Sequence, residues 1–147
     1  MKTNEEPIII EQTFNQSVDI VWKAITDIKQ MRQWYFDNIP SFKPEVGFET
    51  RFNVQSQNRN FPHIWRVTEV IPNKRIKYDW RYDGYPGDSF VLFELFRVNS
   101  LTLLRLTHTV KENFPDDIPE FTRESGIQGW TYFIREKLAE FLQKKNK

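Results

Sequence analysis

The spacing of apolar residues changes twice along the chain. "PIIIEQTFN" (7–15) is short, β-branched and closed by turn formers, which predicts a strand. Ser17 then stands where it can cap a helix carrying Val18, Val21, Trp22 and Ile25 at i, i+3, i+4 and i+7. "VWKAITDIKQMRQWY" (21–35) reads at first as one amphipathic helix, but Asp27 interrupts it, with Gln30 three residues on. That pair marks a helix beginning, because both side chains can satisfy orphan backbone N–H groups. Two short helices are therefore expected, the second carrying Ile28, Met31, Trp34 and Tyr35 and ending before Pro40. Meeting at an angle, they would form the mouth of a pocket.

From about 41 to 110 the period becomes two. "GFETRFNV" (47–54) precedes a polar stretch, "QSQNRN", read as a loop. "HIWRVTEVI" (63–71) ends at the turn signal Pro72-Asn73. "RIKYDWRY" (75–82) alternates Ile76, Tyr78, Trp80 and Tyr82 against Arg75, Lys77, Asp79 and Arg81. After "DGYPGD", "SFVLFELFRV" (89–98) and "LTLLRLTHTV" (101–110) are joined by Asn99-Ser100, a two-residue hairpin turn. Links this short imply an antiparallel meander with one face covered.

The helical period returns near the end. Asp117 with Glu120 can open a helix, Pro119 being tolerated in a first turn. "GWTYFIREKLAEFL" places Trp130, Phe133, Ile134, Leu138, Phe141 and Leu142 along one stripe. Gly126 and Gly129, one turn apart, mark either a break or a close approach to another backbone. The terminal "KKNK" reads as a solvated, frayed helix end.

Composition narrows the function classes. The 147 residues fit one domain spanning 1–147, and 21 basic against 20 acidic side chains lack the excess of a dedicated nucleic-acid binder. With no cysteine, disulfides, thiolate metal sites and a cysteine nucleophile are excluded. The apolar run "III" is too short for a signal peptide, and no stretch approaches the roughly 18 apolar residues of a membrane span. A cytoplasmic protein is the expectation. Aromatics are abundant, 13 Phe, 5 Tyr and 5 Trp, which demands either a bulky core or an aromatic-walled cavity.

Strand, two short helices, meander and a long last helix is an α+β order. In its order and spacing of "SVDIVWKAITD", "KPEVGFETRF", "VTEVIPNKRIKYDW", "SFVLFEL", "LTLLRLTH" and "GWTYFIREKLAEFL", the chain resembles the START-like superfamily, SRPBCC or birch-pollen-allergen fold. Within it, the resemblance is greatest to the C-terminal-type domain of the activator of the ninety-kilodalton heat-shock-protein ATPase. The resemblance implies a helix-grip fold, a curved antiparallel sheet wrapped around the C-terminal helix with a cavity between. It also implies a chaperone partner and a role in stress response as one functional alternative.

Candidate chemistry is sparse. His63, starting a strand, is expected to be solvated, and His108 shares a strand face with Leu104, Leu106 and Val110. No spacing of ligands supports a metal, no catalytic set is recognisable, and no cofactor is expected. Asp116-Asp117 reads as a helix start. The candidate ligand-binding residues are therefore Trp34, Phe52, Trp65, Tyr78, Trp80, His108, Trp130 and Phe133, facing a small hydrophobic or aromatic molecule.

Glu94 divides "SFVLFELF" into two faces. Outward, it would pair with Arg105 across the hairpin and leave Phe90, Leu92 and Phe96 on the sheet surface beside Leu103, an interface for a homodimer or a weaker protein partner. Inward, it would anchor the cavity. Three functions compete: binding of a hydrophobic or aromatic ligand, a protein-interaction module resembling the chaperone co-activator, and a polyketide cyclase or dehydratase-like enzyme.

Overall fold

A computed structural model describes residues 1–145, so the last two residues of the "KKNK" tail lie outside the described chain. The elements begin with β1 (Ile8–Phe14), α1 (Val18–Thr26), α2 (Ile28–Trp34), β2 (Glu49–Ser56) and β3 (Arg59–Ile71). They continue with β4 (Arg75–Tyr82), β5 (Asp88–Val98) and β6 (Leu101–Glu112). A short 3-10 turn, Pro119–Phe121, precedes a continuous C-terminal helix. That helix comprises α3 (Arg123–Trp130), a π-helical stretch (Thr131–Leu138) and α4 (Ala139–Lys145). All strand pairs are antiparallel, in the order β1-β6-β5-β4-β3-β2, giving one curved open sheet that grips the helix.

Asp27 divides the two short helices as expected. Its extended backbone (φ −86, ψ 123) ends α1, and its carboxylate accepts the Gln30 backbone N–H at 3.3 Å to start α2. The reciprocal bond from Gln30 is not made. The Gln30 Oε1 is buried without a partner among the described residues, so only the Asp27 half of the capping box forms. Ser17 also departs from expectation, because its hydroxyl donates to Asp19 at 2.5 Å and caps no backbone N–H.

Two loop readings change. "QSQNRN" is no loop: β2 and β3 run to Ser56 and Arg59, and Gln57 (φ 52) and Asn58 (φ 65) alone make the turn. Positive φ at both central residues is the turn that matches strand twist. Nor do Asp117 and Glu120 open the last helix. Thr122 caps it by accepting the Ser125 N–H at 3.2 Å, while Asp116 pairs with Lys2 and Glu120 accepts from Ser56 and Arg59. Sequence-adjacent acids are drawn off by partners more than 60 residues away, which no local pattern encodes.

Inward positions alternate as the period demands. Ile76, Tyr78 and Trp80 of β4, Val91, Phe93 and Leu95 of β5, and Leu104 and Leu106 of β6 are buried beneath Trp130, Ile134, Leu138 and Leu142. A second cluster, Phe61, Phe114 and Phe121, packs with Tyr82 and Tyr85 and holds the 3-10 turn against one end of the sheet. Gly126 lets the helix pass close to β1, where a Cβ would stand 2.8 Å from Ile8 Cδ1 and force that side chain to move.

Candidate functional site

The space between sheet and helix is largely filled. Tyr35, released from the end of α2, lies at its centre, stacked 4.5 Å from Trp34 and within 5.1–6.4 Å of Phe36, Trp65, Trp80, Phe93, Trp130 and Phe133. Its hydroxyl shares a 3.0 Å hydrogen bond with Tyr78, and burial raises both phenols above their ordinary range.

Several of the residues expected to line a ligand site pack within this filled interior. Trp34 donates its indole N–H to Ala24 O at 2.8 Å, fastening α2 to α1. Phe52 stacks on His63 at 5.0 Å and meets the edge of Trp65 at 4.8 Å. Trp65 is buried, and its indole N–H has no partner among the described residues.

His63, expected to be solvated, is buried. It has the same strand parity as Trp65 and Val67, a signal present in the sequence. Because a carbonyl only accepts, Nδ1 carries the proton and donates to Phe61 O at 2.7 Å. Desolvation pulls its pKa down to about 4.

Open apolar space survives at one end. Trp80, Tyr82, His108, Phe121, Trp130 and Phe133, with Gly126 and Gly129 on the helix side, line a cleft of about 100 Å³. A Cβ added at Gly129 would meet no atom within 4 Å. Larger openings, about 650 and 570 Å³, are surface grooves bordered mostly by polar side chains such as Arg59, Glu120, Arg32 and Lys137. Of the expected ligand residues, the cleft thus unites Trp80, His108, Trp130 and Phe133. Tyr82, Phe121 and the glycines were not foreseen as its walls.

The floor of the cleft is a directed chain of hydrogen bonds. The Trp130 indole can only donate, so His108 Nδ1 accepts it at 3.0 Å and Nε2 must carry the imidazole proton. His108 Nε2 then donates to Ser89 Oγ at 2.8 Å, and Ser89 donates to Trp80 O at 2.7 Å. Burial pulls the His108 pKa down to about 3, so the ring is neutral at physiological pH. With Nδ1 occupied, the imidazole has no free lone pair with which to take a proton.

Tyr82 differs. Its oxygen accepts the Trp80 indole N–H at 2.7 Å, and its own proton has no acceptor among the described residues. Desolvation raises this phenol well above its ordinary range, keeping the O–H intact. Met1 and Glu120 also border the cleft, the Glu120 carboxylate held by Ser56 and Arg59, whereas the Tyr82 O–H is a donor left unused there. No group of three His, Cys, Asp or Glu able to hold a metal occurs among the described residues, and no described helix is long and apolar enough to cross a membrane.

Sheet, gripped helix and apolar cleft define a START-like helix-grip protein. More narrowly, residues 15–143 match the model of the Activator of Hsp90 ATPase homolog 1-like protein family, and the chain belongs to that family. No curated protein matches it in sequence. Among solved structures it is similar to protein CV1439 from Chromobacterium violaceum (20% identity, TM-score 0.77, covering 93% of this chain and 96% of that one). Protein MLL2253 from Mesorhizobium loti is similar at 26% identity and TM-score 0.74, covering 95% and 98%. The Aha1 dimer from Colwellia psychrerythraea shares 20% identity at TM-score 0.72, covering 94% and 96%.

Proposed function

We propose that the protein binds a small hydrophobic or aromatic molecule in the cleft between the sheet and the C-terminal helix. The observation that carries this reading is the combination at one place of aromatic walls, an unused Tyr82 O–H and a glycine, Gly129, facing open space. An apolar cavity of ~150 Å³ holds one benzene ring, so the cleft, at about 100 Å³ and open to solvent on one side, takes in part of a single ring or a short branched chain and leaves the rest at its mouth. A hydrogen-bond acceptor on that ligand would meet Tyr82.

Titration with benzyl alcohol, followed through the indole N–H resonances, tests the reading. The Trp80 and Trp130 signals should shift saturably in the wild type and stay unmoved in Gly129→Leu, whose side chain fills the cleft. Linear shifts, or equal responses in both proteins, would overturn it. Native mass spectrometry of freshly purified protein would add the natural ligand's mass.

A second reading, a protein-interaction module acting on a chaperone ATPase, draws support from the family match. The cyclase-like enzyme has less in its favour, since the one candidate base, His108, is engaged at both nitrogens.

A further inference from the structure

Glu94 points to the outer face of the sheet, where it has an arginine on either side and pairs with neither. In register across the strands stand Arg75 of β4, Glu94 of β5, Arg105 of β6 and Glu11 of β1. Arg75 turns to Glu69 at 3.3 Å, and Arg105 donates to Glu11 at 2.7 Å. The expected bond between Glu94 and Arg105 is not made: Arg105 has carboxylates opposite it on both neighbouring strands and takes Glu11. Glu94 has no ion pair or hydrogen bond among the described residues.

The row therefore reads plus, minus, plus, minus across the sheet. Apolar side chains flank it. On one side lie Leu92 and, 55% exposed, Ile9; on the other lie Phe96 and Leu103, opposite each other across β5 and β6. Arg105 covers Phe96 at 4.9 Å and Lys77 covers Phe90 at 4.2 Å, leaving these rings half-buried.

An even, alternating row of charges complements its own reversal. Consider a two-fold axis lying in the contact plane, parallel to the strands, between β5 and β6. It sets β5 over β6 of a second copy, as in aligned sheet packing. Glu94 then faces Arg105 of the second copy, Arg75 faces Glu11 of the second copy, and Phe96 faces Leu103. Every charge of this row meets its opposite, and the interface is isologous, as a two-fold contact must be.

We infer that this face of the sheet is a homodimer contact, built on the Arg75–Glu94–Arg105–Glu11 row and the Phe96–Leu103 pair. Four strands about 4.8 Å apart and nine residues of about 3.4 Å rise give a flat footprint of roughly 600 Å² per copy. A standard interface buries about 800 Å² per partner, so the dimer is concentration-dependent. Exposed pairs also make it weaken with added salt.

Equilibrium sedimentation over a concentration series tests it through charge reversal. Wild type forms a reversible dimer. Glu94→Arg, which breaks no ion pair or hydrogen bond within its own chain, remains monomeric because it sets the introduced guanidinium against Arg105 of the second copy. Arg105→Glu alone sets an acid against Glu94 of the second copy and is also monomeric; within its own chain it gives up the pair with Glu11. An equimolar mixture of the two variants restores opposite charges at every position of the row and sediments as a heterodimer. Thermal melts confirm that each variant is folded. If Arg105→Glu does not fold, Glu94→Arg against wild type decides. A wild type that stays monomeric throughout, a Glu94→Arg dimer as strong as wild type, or a folded mixture that stays monomeric overturns the inference.

Discussion

Trp130 of the C-terminal helix donates its indole N–H to Nδ1 of His108 on β6 at 3.0 Å, and both residues are buried. This one bond joins the helix to the sheet, fixes the imidazole tautomer and forms the floor of the cleft. Trp130→Phe keeps a ring but leaves His108 Nδ1 without its donor, a loss of about 1–3 kcal/mol. Trp130→Ala removes the packing as well and should cost about 3–5 kcal/mol. Urea midpoints should fall in that order. An unshifted midpoint for Trp130→Ala would show that the indole does not brace the helix.

Both histidines make stability depend on pH. Each has a folded pKa below its ordinary value of 6.5, about 4 for His63 and about 3 for His108, because burial opposes the charged ring. Below pH 6.5 the unfolded chain takes up protons that the folded chain refuses. Stability therefore falls as pH drops through the window from 6.5 towards 4 for His63 and towards 3 for His108. At pH 5 each histidine should account for about 2 kcal/mol lost relative to neutral pH. Urea unfolding at several pH values should give a steep slope between pH 6.5 and 5, and His63→Phe should flatten it by close to one proton. A slope unchanged in that variant would mean His63 is not buried neutral.

The parts of the fold that the sequence announces are those fixed by local periodicity. Asp27 as a divider, the alternation in "RIKYDWRY" and the outward position of Glu94 all follow from residues within a few positions. What escapes is decided by distant partners or by volume. Arg105 has a carboxylate opposite it on each neighbouring strand, and its choice of Glu11 depends on where β1 pairs. Whether a cavity exists depends on Tyr35 occupying the centre, and no pattern of polar and apolar letters states how much space a ring leaves. The π-helical stretch left a trace. Trp130, Ile134, Leu138 and Leu142 recur at a strict spacing of four, and all are buried. The pattern reads equally well as an ordinary amphipathic stripe.

Asp27 offers a local test. Its carboxylate caps α2, and its backbone N–H closes α1 by donating to Lys23 O at 2.8 Å. Asp27→Ala keeps the backbone bond and removes the cap, so about 1 kcal/mol should be lost. Asp27→Asn should recover most of it, because an amide oxygen accepts the same N–H. If Asn and Ala are equally destabilising, the carboxylate does something other than cap.

The two glycines of the C-terminal helix should respond to the same substitution with different signs. In a helix interior, alanine is favoured over glycine by about 1 kcal/mol. At Gly129 the new methyl meets nothing within 4 Å, so the whole gain should appear and the melting temperature should rise. At Gly126 the methyl would lie 2.8 Å from Ile8 Cδ1 and 3.3 Å from Met1 Sδ. Ile8 is only 2% exposed, and its shift would disturb well-packed neighbours. Overpacking of this kind costs about 1–3 kcal/mol, enough to cancel the helix gain or reverse it. Thermal melts of Gly126→Ala and Gly129→Ala should separate, with Gly129→Ala above wild type and Gly126→Ala at or below it. A rise of the same size in both would mean that the helix does not approach β1 as closely as Ile8 and Gly126 imply. A fall at Gly129 would mean that its side of the helix faces no open cleft.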